Sequence, residues 1–516
     1  MRAGKPFCAG RGKQGSQGIN PNLLFSLIAC MLWMSQLNAV MNAEKGVFMF
    51  AQKLLGVKDH TGKYIDPVQL KELYRKTLYI AWPSTVEGAL LSIIGSVDTM
   101  MVGTLGAASI AAVGLTGQPR MIMLILAQAL CIGTTALCAR RKGAQDRVGA
   151  NACLNQSLAI ITVIGILMTL IGYFGAEWLM RLGGANEDTF ALSTDYFRII
   201  SLAFLPQCWQ LCICAAMRAI GKTRITMFTN ITANLINVVL NYILINGKLG
   251  FPALGVRGAA IATACGTVSA SLICVLLALR KGDYYHLAFP RFDRLTVNGL
   301  VKVGSSSMVE AVCLRIGFLL LARLIAGIGT KAFAAYQIVG QVTSLSFTLG
   351  DGVSTAATSL VGQSLGAKRK DLAMGYARVA SRIGFIVAVL LMLVIFVFSR
   401  QLALLFTRDE EIIHAVTLSF YVAIIAMIPQ NGRVVQSGVL RGAGDVRFVA
   451  ICALLSVSIL RPILTWLFCY PLANAVPGLP VAVLSPWIAF LIDAIVRDRL
   501  LGHRIRQGKW LDIELS

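Results

Sequence analysis

Charge is scarce in this chain, and acid is scarcest. Of 516 residues only 14% are charged, with 24 Asp and Glu against 47 Lys and Arg. An average soluble domain carries roughly 25% charged residues. With 56% hydrophobic residues and a mean hydropathy of +0.72, a soluble fold of this length could not hide its apolar surface. That excludes a cytosolic enzyme, a nucleic-acid binder and a disordered chain. The net charge of +23 would suggest nucleic acid in a soluble protein; here it records positive charge left in cytoplasmic loops. Histidine is almost missing: the four present lie in or beside loops without metal spacing. None of the 13 cysteines forms a CxxC pair, and most sit in apolar runs as buried thiols. Ile220-Gly221-Lys222-Thr223 ends like a phosphate loop, but Ala216 stands where the first glycine is required. No catalytic constellation, metal site or cofactor is expected.

Long apolar runs are what the chain does have. Twelve runs of about 20 residues follow residue 75, at 78–102, 110–139, 153–174, 193–217, 226–246, 257–279, 300–326, 332–363, 376–398, 412–439, 447–470 and 476–496. Even-numbered loops are basic, as at Arg140, Arg141 and Lys142, Arg218 and Lys222, Lys368, Arg369 and Lys370, and Arg441. Odd-numbered loops are poor in Lys and Arg and hold acids such as Glu187, Asp188 and Glu410. The positive-inside rule therefore predicts an all-α, multi-pass protein of the cell membrane with both termini cytoplasmic. Residues 1–75 form an N-terminal extension of three alternative meanings: a signal sequence, an extra span over 23–40, or a chain whose synthesis begins near Met41 or Met49. Residues 66–76 are predicted to form a short amphipathic helix on the cytoplasmic face.

Sliding the chain against itself exposes a repeat. An offset of 223 pairs Glu87 with Glu310, Gly117-Gln118 with Gly340-Gln341, Gly143-Ala144 with Gly366-Ala367, Pro206-Gln207 with Pro429-Gln430, and Arg218 with Arg441. The predicted organisation is a six-helix lobe at 76–279, a cytoplasmic linker at 280–299, a second six-helix lobe at 300–498 and a basic tail at 499–516. Six spans is an even number, so both lobes enter from the same side. The repeat is parallel, as in transporters whose two halves rock about a shared axis.

Acids inside hydrocarbon are costly and need a reason. Four stand out: Glu87 and Asp98 in the first span, Glu310 in the seventh and Asp351 in the eighth. Glu87 and Asp98 are eleven residues apart, three turns plus about 20°, so they share one helix face, separated by about 16 Å along the axis. The fifth span adds a stripe of amides, Asn230, Asn234, Asn237 and Asn241. Such amides can hydrogen-bond a buried carboxyl in either protonation state, or bind helices together. Thr263, Gln118 and Gln341 complete the expected polar network. Arg315, Arg323 and Arg461 are expected to neutralise acids or to snorkel.

Several segments together resemble the multidrug and toxic-compound extrusion (MATE) family over about residues 75–500. They are Ser96-Val97-Asp98-Thr99-Met100-Met101-Val102-Gly103, Ala136-Leu137-Cys138-Ala139-Arg140-Arg141-Lys142-Gly143-Ala144, Met217-Arg218-Ala219-Ile220-Gly221-Lys222-Thr223-Arg224, Ser359-Leu360-Val361-Gly362-Gln363-Ser364-Leu365-Gly366-Ala367 and Leu440-Arg441-Gly442-Ala443-Gly444-Asp445. The resemblance implies twelve helices in two lobes forming a V around a central cavity. It implies export of cationic amphipathic compounds in exchange for protons or sodium, by alternating access. Asp98 matches the first-span aspartate of many bacterial members, Glu310 the seventh-span glutamate, and Asn237 and Asn241 the paired polar residues of the fifth helix. The tenth-span stretch Pro429-Gln430-Asn431-Gly432 lacks the aspartate of NorM-type members, so the residues favour a DinF-like reading, with a proton or sodium site near Asp98. The expected partners are organic cations and the lipid bilayer, and the chain is expected to act as a monomer. The alternative is a flippase for a lipid-linked or polysaccharide precursor of the wider superfamily, which would use Arg315, Arg323 and Arg461.

Overall fold

The structure is a computed structural model that describes residues 65–280, 284–290, 292–472 and 481–514. The expectations for residues 1–64 lie outside the described residues. A helix meets every one of the twelve apolar runs. The first half holds α1 (Pro67–Gly103), α2 (Ala107–Gly143), α3 (Arg147–Phe174), the short α4 (Ala176–Leu182), α5 (Glu187–Ser201), α6 (Phe204–Ala219), α7 (Thr223–Asn246) and α8 (Gly255–Leu279). The second holds α9 (Arg294–Ala326), α10 (Thr330–Gly366), α11 (Lys370–Leu404), α12 (Glu410–Ala443), α13 (Val446–Pro471, with π-helical stretches) and α14 (Val481–Gln507). Eight of these are long and apolar enough to cross a membrane, and the pair α5–α6, bent by 50°, makes a ninth. Apart from the short α4, the remaining three, α9, α10 and α14, are 33, 37 and 27 residues long, enough to span a bilayer, but polar and charged residues dilute their apolar runs.

Residues 66–76 are not a separate surface helix. Asp66 caps α1 by accepting from the amides of Val68 and Gln69, Pro67 occupies the first turn, and the helix runs unbroken into the membrane. Neither Gly nor Pro stands between Lys76 and Leu78 to end it. The linker is likewise ordered where it is described. Asn151 and Asn155, one turn apart on α3, hold one edge of its backbone: Asn151 donates to the Tyr284 carbonyl and accepts from the His286 amide, while Asn155 donates to the His286 carbonyl and accepts from the Ala288 amide. Tyr285 is fully buried beside them. Asp293 then caps α9, and hydrogen bonds from the Thr296 hydroxyl and amide hold its carboxyl below the usual carboxylate range. The basic tail is largely helix too, with α14 reaching Gln507 before a 3-10 turn that buries Trp510.

The lobes meet through α1 and α2 on one side and α9 and α10 on the other, at the end that carries the basic loops. Small residues allow the approach. A Cβ on Gly143 would overlap the carbonyl oxygen of Gln363, and one on Gly366 would overlap that of Arg140. These two contacts exchange under the offset of 223, so the repeat seen in sequence is a pseudo-two-fold axis in space. Along α1, Gly352 of α10 lies on the backbone of Thr85 and Gly88 lies on the Thr348 side chain. Toward the other end contact stops: around Gly95, Gly106, Gly117, Gly329 and Gly340 a Cβ would meet nothing within 4 Å. The lobes are closed at the basic end and apart at the other.

Candidate functional site

In the first lobe, two acids of α1 face the amide stripe of α7. Glu87 accepts from Asn230 at 2.5 Å and from the Thr226 hydroxyl at 3.2 Å, and lies 3.6 Å from the Arg218 guanidinium. Asp98 accepts from Asn241 at 2.9 Å. Asn237, one turn earlier, lies against the same carboxylate. With its nitrogen turned inward it donates to the two oxygens at 2.9 and 3.0 Å, while its own oxygen accepts from the Thr263 amide at 3.1 Å. Glu87–Asn230 and Asp98–Asn241 both join residues 143 apart, as two parallel helices in constant register require. Asp98 is half-buried and, unlike Glu87, has no cationic partner among the described residues.

The second lobe repeats the Glu87–Arg218 pair. Glu310 on α9, nearly fully buried, accepts from Arg441 at 2.8 Å and Arg497 at 3.2 Å. Arg218 and Arg441 occupy equivalent positions, 223 apart, so each lobe pairs a first-helix glutamate with an arginine near the end of its fourth span. The charge pattern had placed both arginines in cytoplasmic loops. The repeat register held the better clue, since it pairs acid with acid and base with base.

Between the lobes lies a cavity of about 880 Å³. Its walls come from α2 and α6 on one side and from α9, α10, α12, α13 and α14 on the other. Six arginines line it (Arg218, Arg315, Arg433, Arg441, Arg461 and Arg497), against two acids, Glu310 and Asp351. Asp351 is exposed on the wall and feels the guanidiniums of Arg441 and Arg218. Asp98 and Glu87 lie off the cavity wall, so they are not positioned to attract a cation within it.

Several expected network members stand apart from these acids. Gln118 and Gln341 are exposed, and their side chains make no hydrogen bond among the described residues; they sit where the lobes have separated. Asn234 turns back on its own helix and donates to the Asn230 carbonyl at 2.7 Å. Arg323 is exposed near the end of α9 and does not line the cavity, whereas Arg315 does. Arg433, Arg497 and the fully buried Asp493 were not singled out in sequence, because each sits near a span end where charge reads as interfacial.

Two pseudo-symmetric helical lobes, a cavity on their axis and intramembrane acids tied to parallel helices define a multi-pass membrane transporter. The chain belongs to the multidrug and toxic-compound extrusion (MatE) family, whose model matches residues 83–243 and again residues 307–467. A probable multidrug resistance protein NorM of Thermotoga maritima is 26% identical over 463 residues, 87% of this chain and 95% of that relative. The fold matches that of a MATE protein solved in complex with MaD3S, with a TM-score of 0.77 and 23% identity over 85% of this chain and 97% of that one. It also matches a MOP-superfamily transporter of Pyrococcus furiosus, described as having a binding pocket of reversed polarity that suggests a different function. There the TM-score is 0.77, at 22% identity over 86% of this chain and 97% of that one.

Proposed function

We propose that this protein exports amphipathic small molecules across the cell membrane by alternating access, in exchange for a proton or sodium ion taken up at Asp98. The observation that carries this reading is the isolation of Asp98. It is held by neutral amides of Asn237 and Asn241, with no guanidinium to neutralise it. Glu87 and Glu310 already have arginine partners. An amide can present its nitrogen to a carboxylate or its oxygen to a bound cation, so the same cradle suits either ion.

The coupling runs through α1. Its outer half carries Asp98, and its inner half packs on α10 of the opposite lobe at Thr85–Gly352 and Gly88–Thr348. An ion that changes how α1 sits on α7 therefore biases lobe closure, and by linkage biases substrate binding in the cavity. To drive the switch, ion and substrate must prefer opposite states by a few kcal/mol. On this reading the basic loops are cytoplasmic, and lobes closed at that end stand outward-open in the proposed cycle. The organic-cation preference expected from the family resemblance finds little support on the arginine-rich cavity wall. The test is efflux of a panel of cationic and anionic fluorescent dyes from an efflux-deficient host. The wild type should expel at least one dye, and Asp98→Asn should not expel it although present in the membrane at equal level. Equal efflux by the variant overturns the reading.

A further inference from the structure

We infer that the cavity is built to hold an amphiphile bearing an oxyanion, a phosphate or carboxylate, seated among Arg433, Arg461 and Arg497 with its apolar body against Trp487 and Phe490. The inference deepens the export reading by giving its substrate a charge. It depends on that reading only in treating the cavity as the substrate's compartment.

Of the two acids on this wall, Asp351 forms no ion pair among the described residues and acts on Arg441 and Arg218, not on Arg433 or Arg461. Glu310 pairs with Arg441 and Arg497, and Glu87, behind the wall, serves Arg218. Arg315, Arg433 and Arg461 form no ion pair among the described residues. Asp493 acts electrostatically on Arg433 and Arg497 but makes no ion pair with either, and neither of its oxygens has a hydrogen-bond partner. Burying a charge without a partner is expensive, yet Arg461 is only 4% exposed.

The hydrogen-bond inventory points the same way. Five N–H donors of the residues that form this wall lack an acceptor, and all five atoms are themselves buried: the Nε of Arg433, Arg441, Arg461 and Arg497, and the Trp487 indole nitrogen. The wall's unmatched acceptors among the described residues are the buried Gln430 side-chain oxygen and the exposed carboxylate of Asp351. Six arginines against two acids on the wall suit a ligand that only accepts, and phosphate and carboxylate are such groups, with arginine their preferred partner. An organic cation brings the wrong charge and would compete for aromatic faces already in use, since the Arg461 guanidinium lies 4.5 Å from the Phe490 ring centre and 5.8 Å from that of Phe318. Tyr336, Trp487 and Phe490 pack in sequence, with centroids 5.3 and 5.9 Å apart and the second pair edge-on, and these rings, Trp487 and Phe490 nearly fully buried, form the apolar lining beside the arginines. The volume, about 880 Å³, suits a drug-sized molecule.

The experiment is equilibrium binding to the full-length protein in detergent, read by fluorescence anisotropy, with two probes of one aromatic body and opposite heads: pyrenebutyrate and pyrenebutylammonium. It needs no ion gradient, so its outcome is independent of coupling at Asp98. The anion should bind about tenfold tighter or better, and Arg433→Gln/Arg461→Gln should abolish that preference while Arg433→Lys/Arg461→Lys retains part of it. Equal or tighter binding of the ammonium probe overturns the inference, as does anion binding unchanged in the glutamine double variant. Competition with 1-naphthyl phosphate would assign a soluble oxyanion and competition with farnesyl diphosphate a lipid-linked one; failure of both to displace the anionic probe also overturns it.

Discussion

Gly362 lies so close to Ala139 that a Cβ on it would stand 2.7 Å from the Ala139 Cβ, and the two residues are each other's counterparts under the offset of 223. A contact between equivalent positions is what a two-fold axis produces. The axis therefore passes through the C-terminal turns of α2 and α10, where the reciprocal contacts Gly143–Gln363 and Gly366–Arg140 also lie. Ser359 and Gln363 bond to the Ala219 carbonyl at 3.0 and 2.7 Å, and Arg140 bonds to that of Ala443 at 3.0 Å, fastening each lobe to the other.

Gly143→Val and Gly366→Val should force this end apart, because the backbone opposite cannot yield as a flexible side chain would. A single reporter cysteine at Thr135, on the cavity wall, then becomes reactive toward an impermeant thiol reagent applied from the side of the basic loops, the cytoplasmic side in the proposed orientation. Protection equal to that of the parent protein would show that these glycines do not close the gate.

The tail adds a second fastening. Arg140 donates to the Ile513 carbonyl at 2.6 Å, and Lys370 bonds Asp512. Truncation after Gln507 should increase the same cytoplasmic labelling, by less than either glycine substitution, because it leaves the helix packing intact. No change in labelling would reduce the tail to a surface appendage.

Glu310 should be the most structurally demanding of the intramembrane acids. Two guanidiniums face it, and breaking a buried pair by removing one partner costs about 3–5 kcal/mol. Glu310→Gln should lower the thermal midpoint in detergent markedly. Glu87→Gln should lower it less, since Glu87 has one arginine at 3.6 Å and keeps neutral donors in Asn230 and Thr226. Asp98→Asn should leave it nearly unchanged. A reversed order would contradict the roles assigned here.

Asn151 and Asn155 make a more modest claim. Each side chain makes two hydrogen bonds to the linker backbone, and a single such bond is worth about 1 kcal/mol net. Asn151→Ala/Asn155→Ala should lower the thermal midpoint while leaving dye efflux measurable. Loss of efflux without loss of stability would give the linker a role in the cycle itself.

Much of the architecture was legible in the sequence because hydrocarbon imposes it: apolar length marks the spans, and a doubled register marks the lobes. The acid pair and the amide stripe were legible too, since each obeys helical periodicity, but the contact of Asp98 with Asn241 was not, because the register between α1 and α7 is set only in the fold. Partnerships set in three dimensions were not. Arg218 and Arg441 lie at span ends, where local pattern reads a loop, and only their depth in the fold turns them into partners of Glu87 and Glu310. Gln118 and Gln341 share a repeat position but face the gap between separated lobes, and one-dimensional register cannot say which neighbour lies opposite.

The central claim is that Asp98 takes up the driving ion, and gradient-driven transport tests it most directly. Purified protein in liposomes, loaded with a dye that the wild type exports, would be given an inward proton gradient and, separately, an inward sodium gradient. One of them should accelerate dye movement by the wild type, and neither should accelerate it for Asp98→Asn. Gradient-driven movement by Asp98→Asn at the wild-type rate would contradict the account.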